Sequence, residues 1–120
     1  MSFYDKVNEV IGKAYDAEKS HCWNLVEYLV PTAPKLEGQA SSLRISVDLF
    51  KKELDRTKLT DVSIDHLKDQ DIVVLGRGGV FHHAGVYCNG GVVHADVHGT
   101  VWQSMADMRK IYPEVKGLRS

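Results

Sequence analysis

The sequence predicts an α+β domain, with N-terminal helices packed on an antiparallel sheet that curls toward a partial barrel. Three observations carry this expectation. Two apolar stripes at helical spacing lie in the first 30 residues, "IVVL" (72–75) is a short wholly apolar run, and two segments of alternating polarity flank Asn89-Gly90. Helices first and hairpin strands afterwards is the order of an α+β fold rather than of alternating βα units.

Each element has its own warrant. Ser2, three residues before Asp5, can cap a helix whose apolar face is Phe3, Val7, Ile11 and Ala14, with Gly12 weakening its end. "CWNLVEYLV" (22–30) forms a stronger helix: Cys22, Leu25, Val26 and Leu29 make one stripe, Trp23 and Val30 flank it, and Pro31 stops it. Residues 31–46, with two of the three prolines, read as a loop. Val47, Phe50 and Leu54 mark a third helix with "KKELDR" as its solvated face. "KDQD" is a turn, 72–75 a buried strand and "GRGG" a loop. Strands 81–88 and 92–97 form a hairpin around Asn89-Gly90. Trp102, Met105 and Met108, three apart, suggest a last short helix ending before Pro113.

At 120 residues, 43% apolar and 26% charged, the chain is a single domain over 1–120 able to bury its own core. A net charge of −1 offers no electrostatic case for nucleic acid or an anionic membrane. No apolar run approaches the roughly 20 residues of a membrane span. The N-terminal "MSFYDKVNEV" is not a signal peptide, so synthesis in the cytoplasm is expected. Two cysteines make no disulfide framework, although a Cys22–Cys88 bridge is conceivable.

The hairpin concentrates the chemistry. With Asn89 and Gly90 as the only loop residues, Tyr87 faces Val92, Gly85 faces His94 and His83 faces Asp96. His83, Gly85, Tyr87, Val92, His94 and Asp96 then share one face, and His82, Ala84, Val86, Cys88, Val93, Ala95 and Val97 the other. The second set is the core face. On the first, His83 and His94 are diagonal neighbours about 7–8 Å apart at Cβ, close enough for a ring-to-ring hydrogen bond. Gly85 leaves room for it. Adding Gly91 to the loop would flip the parity and separate the two rings.

Cys22 begins a helix, where the partial positive charge and free N–H groups favour a thiolate and can hold an oxyanion. Cys22, His83 and His94 therefore read as nucleophile, general base and orienting group, with Asp96 the alternative orienter. His66 and His98 read as surface residues, His82 as a packed or edge histidine, and Cys88 as a small buried hydrophobe.

These residues resemble the NlpC family of papain-like cysteine peptidases, which cleave bacterial cell-wall peptides. "HCWNLV" (21–26) is similar to the motif around that family's nucleophile, and "GKAY" (12–15) stands where an upstream Gly-x-Pro-Tyr element occurs. "HAGVY" (83–87), "VVHA" (92–95) and "QDIVVL" (70–75) match the strands bearing the base, bearing the third member, and preceding both. The resemblance covers roughly residues 11–97. It implies a papain-like fold, no cofactor and no catalytic metal, and hydrolysis of an amide in peptidoglycan stem peptides, at the γ-D-glutamyl to diamino acid bond. It also implies that Tyr15 lies beside the thiol and helps position substrate or oxyanion; His21 and Trp23, on either side of Cys22, are the further substrate-binding or oxyanion candidates, and His21 could instead tune the charge of the thiol. The chain departs from the pattern at His21 (Asp), Asn24 (Gly), Ala14 (Pro) and Gln70 (Gly). The domain is similar to phage tail and secreted-effector versions, so delivery by phage, secretion or lysis, with a virion or secretion-system partner, is the matching expectation.

Two other classes stay open. One is a catalytically altered or non-enzymatic binding or virion structural module of the same fold. The other is a zinc-binding domain using Cys22, His83 and His94 with Asp96 or His98, types that zinc accepts, although no clipped ligand pair is present.

Overall fold

Helix α1 (Phe3–Val10) starts where the sequence places its cap: the Asp5 amide donates to Ser2 Oγ at 3.1 Å, and the Ser2 amide to Asp5 Oδ2 at 3.3 Å. In this computed structural model residues 1–13, 22–34, 45–46, 59–96 and 99–120 are described; of Cys22, Ile45 and Ser46 the backbone alone is. Gly12, at φ +85, turns the chain out of α1. There the Gly12 amide donates to the Thr100 carbonyl at 2.8 Å, and the Thr100 amide to Lys13 at 2.9 Å. Helix α2 (Cys22–Leu29) ends before Pro31, and Trp23, Leu25, Val26, Leu29 and Val30 are buried, as the apolar stripe predicts. The expected third helix around Val47, Phe50 and Leu54 lies outside the described residues, as does Ala14.

The strands are β1 (Ile45–Ser46), β2 (Thr60–Val62), β3 (Ile72–Arg77), β4 (Val80–Cys88), β5 (Gly91–Asp96), β6 (Gly99–Ser104) and β7 (Glu114–Arg119). Six form an antiparallel sheet in the order β2-β7-β3-β4-β5-β6, and β1 pairs with β4. The described strands form an open sheet, so the α+β class stands while the closure toward a barrel is absent among them.

Two core layers sandwich the sheet. On one face α1 and α2 cover Ile72, Val74, Phe81, Ala84, Val86, Cys88, Val93, Ala95 and Leu118. On the other, helix α3 (Met105–Ile111) sets Met108 against Val73, Leu75 and Val92, with Tyr87, Tyr112 and Val115 around them. Ser104 caps α3 by accepting from the Asp107 amide at 3.2 Å.

Several sequence expectations are corrected. Trp102 is not on the last helix but on β6, where its ring lies across Gly91, whose missing Cβ would stand 2.5 Å from the indole. The indole N–H donates to the Cys88 carbonyl at 2.7 Å. "GRGG" is loop only at Gly78-Gly79, because Gly76 and Arg77 continue β3. The loop 31–46 ends in strand β1. Strands β2, β6 and β7 carry no clear alternation in sequence; their pairing partners make them strands. No helix among the described residues is long and apolar enough to cross a membrane.

Candidate functional site

The β4–β5 hairpin has the two-residue turn. Asn89 and Gly90 stand at φ +48 and +81, as a type I′ turn requires, and Tyr87 pairs with Val92 and Val86 with Val93. That register sends His83 and His94 to one face, where His83 Nε2 and His94 Nδ1 are 2.8 Å apart with the rings nearly perpendicular. Gly85 makes the approach feasible, since a Cβ there would lie 3.0 Å from that of His94 and 2.6 Å from the Val93 carbonyl oxygen.

His82 departs from the expected alternation. Leu75 pairs with His83 but Gly76 with Phe81, so His82 is the extra residue of a β-bulge. The bulge turns Phe81 into the core with Ala84 and Val86. It leaves His82 exposed and on the side of His83, not on the core face. Both rings lie against Tyr112, at 5.4 and 5.5 Å between centroids, and that of His83 is stacked on it.

The far nitrogen of His94, Nε2, lies 2.7 Å from Oε1 of Gln103 on β6. Gln103 pairs with Val92 and Val101 with His94, so Gln103 is a diagonal neighbour on the same face. Sequence reasoning missed it, because the residues around Trp102 read as helix; recognising β6 as a strand would have shown it. A cavity of about 210 Å³ opens beside the three side chains, lined also by Ala95, Asp96, Ile111 and Tyr112.

Both imidazoles are held neutral at physiological pH. Burial, then the neighbouring His94 and His82, push His83 from 6.5 down to about 3, against a smaller upward pull from Asp96. Burial likewise lowers His94, opposed by its bond to Gln103 and by Asp96. Asp96, the alternative orienter, is thus a half-buried charge beside the pair, while the ring that meets His83 is that of His94.

Among the remaining candidates, Cys22 is the first residue of α2, with its side chain outside the described residues. Tyr15, His21 and His98 lie outside them altogether. The body of α2 packs on the sheet face opposite the imidazole pair. Trp23, expected beside the thiol as a substrate or oxyanion group, is only 1% exposed, and its indole N–H donates to the Pro34 carbonyl at 3.1 Å, so its ring fills the core. His66 is exposed, and Cys88 is a buried free thiol that burial and Asp69 push up, so it forms no bridge with Cys22.

As arranged, both ring nitrogens of His94 are engaged and neither offers a lone pair to a metal. Among the described residues no three His, Cys, Asp or Glu side chains converge on a point that could hold one.

Asp71, in the strand-leading "QDIVVL", is a structural anchor. Its buried carboxylate takes both arms of Arg119, at 2.8 and 2.7 Å, and the Lys68 amide at 2.8 Å. No protein-family model matches this chain, and no curated protein matches it.

Proposed function

We propose that the chain is a cysteine amidase or endopeptidase of the NlpC type, acting on peptidoglycan stem peptides through Cys22, His83 and His94. The observation that carries the reading is the 2.8 Å ring-to-ring bond between two neutral histidines, His83 half-buried and His94 buried. The glycine gap that lets the rings meet and the cavity that opens beside them suit a pair that faces a substrate. Cys22 at the first position of α2 supplies the matching nucleophile.

In this mechanism His83 takes the thiol proton and the sulfur attacks the amide carbon. Helix N–H groups hold the oxyanion, and the leaving amine departs with the proton from His83. Water then repeats the sequence on the acyl-enzyme. A base held near 3 is weak alone, but thiolate beside it stabilises the imidazolium, so the pair shifts together. The reading asks that the first turn of α2 reach the edge of β4 beyond the last described β4–β5 pair, Val86 with Val93, so that sulfur comes round the strand to His83. The enzyme acts on the wall after delivery by phage, secretion or lysis.

Digestion of purified cell wall followed by mass analysis tests this directly. Wild type releases stem-peptide fragments and Cys22→Ala does not; equal release by both proteins ends the proposal. Thiol labelling at mildly acidic pH strikes Cys22 before Cys88 and slows at Cys22 in His83→Ala.

A further inference from the structure

We infer that Gln103 is a positioning residue that sets the direction of the proton chain through both imidazoles, and so makes Nδ1 of His83 the basic atom. The geometry stands by itself; the functional consequence rests on the hydrolase reading above.

A neutral imidazole carries one N–H and one lone pair. The amide oxygen of Gln103 can only accept, so at 2.7 Å the hydrogen between them belongs to Nε2 of His94. Nδ1 of His94 is then a lone pair. Across the 2.8 Å contact the hydrogen must therefore belong to Nε2 of His83, and the lone pair of His83 lies on Nδ1.

The opposite chain is equally well bonded. A donor in the place of Oε1 would put the lone pair of His94 on Nε2, its hydrogen on Nδ1, and the hydrogen of His83 on Nδ1. That ring could not accept a thiol proton there. The choice between base and non-base is thus made two rings away, by one amide. It holds only while neither ring is charged, and burial keeps both neutral.

Among the described residues, the other groups near the rings meet them in other ways. His82 and Tyr112 meet His83 through ring faces and edges, and Asp96 acts on both rings through its charge. Upon thiol deprotonation the hydrogen arrives at Nδ1 of His83, and Nε2–H of that ring still donates to His94. His94 and Gln103 keep their protons throughout.

The test reads the tautomers themselves, in full-length protein with ¹⁵N-labelled histidine, by long-range ¹H–¹⁵N correlation at neutral pH. In the wild type both His83 and His94 carry hydrogen on Nε2. Gln103→Glu, an acceptor of the same reach, keeps this pattern and raises the pH at which the pair takes up a proton. Gln103→Leu mixes the tautomers of both rings. An Nδ1–H on either ring of the wild type, an unchanged pattern in Gln103→Leu, or an unmoved titration in Gln103→Glu overturns the inference. Should the leucine variant not fold, the wild-type and glutamate spectra still decide. In wall digestion Gln103→Leu loses roughly tenfold in rate, as for one net hydrogen bond, and Gln103→Glu loses less and shifts the pH profile upward. If the wild type digests nothing, the hydrolase reading falls and the spectra still judge Gln103.

Discussion

His82 shares a sheet face with its chain neighbour His83, against the alternation of a regular strand, because Leu75 and Gly76 on β3 pair with His83 and Phe81 and leave His82 over. One extra residue thus keeps Phe81 in the core and brings two adjacent imidazoles to Tyr112. Bulges beside functional sites re-aim side chains in this way. His82→Ala is expected to change stability by less than about 0.5 kcal/mol, since the side chain is exposed. Deleting His82 instead turns Phe81 out of the core and is expected to cost about 3–5 kcal/mol, as for loss of a buried phenylalanine. Urea unfolding of both variants checks the contrast; equal stabilities would refute the role of the bulge.

At Gly85 an added side chain would collide with the strand that carries His94. An added Cβ meets Val92 Cγ1 at 2.5 Å, a carbonyl oxygen at 2.6 Å and His94 Cβ at 3.0 Å. Gly85→Ala is therefore expected to destabilise by about 1–3 kcal/mol through overpacking, and to break the His83–His94 contact. Denaturation together with histidine ring chemical shifts measures both effects. Wild-type ring shifts in the variant would show that the glycine does not set the approach.

The depressed histidine pair makes a pH prediction. His83 titrates near 3 when folded but at 6.5 when exposed, so between those values the unfolded chain binds the additional proton. Stability therefore falls as pH drops from about 6.5 toward 3, and His83 makes no such contribution above that window. In His83→Gln the acid loss of stability is expected to be shallower over the same range. Thermal melts of the two proteins across it supply the comparison, and parallel curves would contradict the buried neutral state.

Gln70 stands at φ +79, a left-handed backbone that costs a residue with a Cβ about 1–2 kcal/mol. Gln70→Gly is expected to gain most of that, less the greater flexibility of the unfolded glycine, for a net rise of about 0.5–1 kcal/mol. The melting temperature reports it. A fall would mean that the glutamine side chain makes a compensating contact.

Local patterns that need no distant partner were legible in the sequence. The Ser2–Asp5 cap, the α2 stripe ended by Pro31, the apolar run of β3 and the Asn89-Gly90 turn are each set by residues within a few positions. The turn, together with the clean apolar face that its two-residue form gives the hairpin, set the register, and period-two alternation then placed His83 and His94 together. Alternation failed at His82, because a bulge depends on how the partner strand β3 sits. The strands β2, β6 and β7 went unread for a related reason: they are short or half-exposed, and their hydrogen bonds come from neighbours far along the chain.

By itself, then, the sequence determined the α+β class, the hairpin register and the meeting of two imidazoles, all consequences of short-range sterics and side-chain alternation. Tertiary structure alone decided that Gln103 closes the chain of ring bonds, that Trp23 and Asp71 are anchors of the fold, and that burial strips the pair of its charge. Those features depend on which atoms from remote strands exclude water from a given ring. Desolvation and hydrogen-bond direction are properties of a three-dimensional neighbourhood, and no local pattern of residues encodes them.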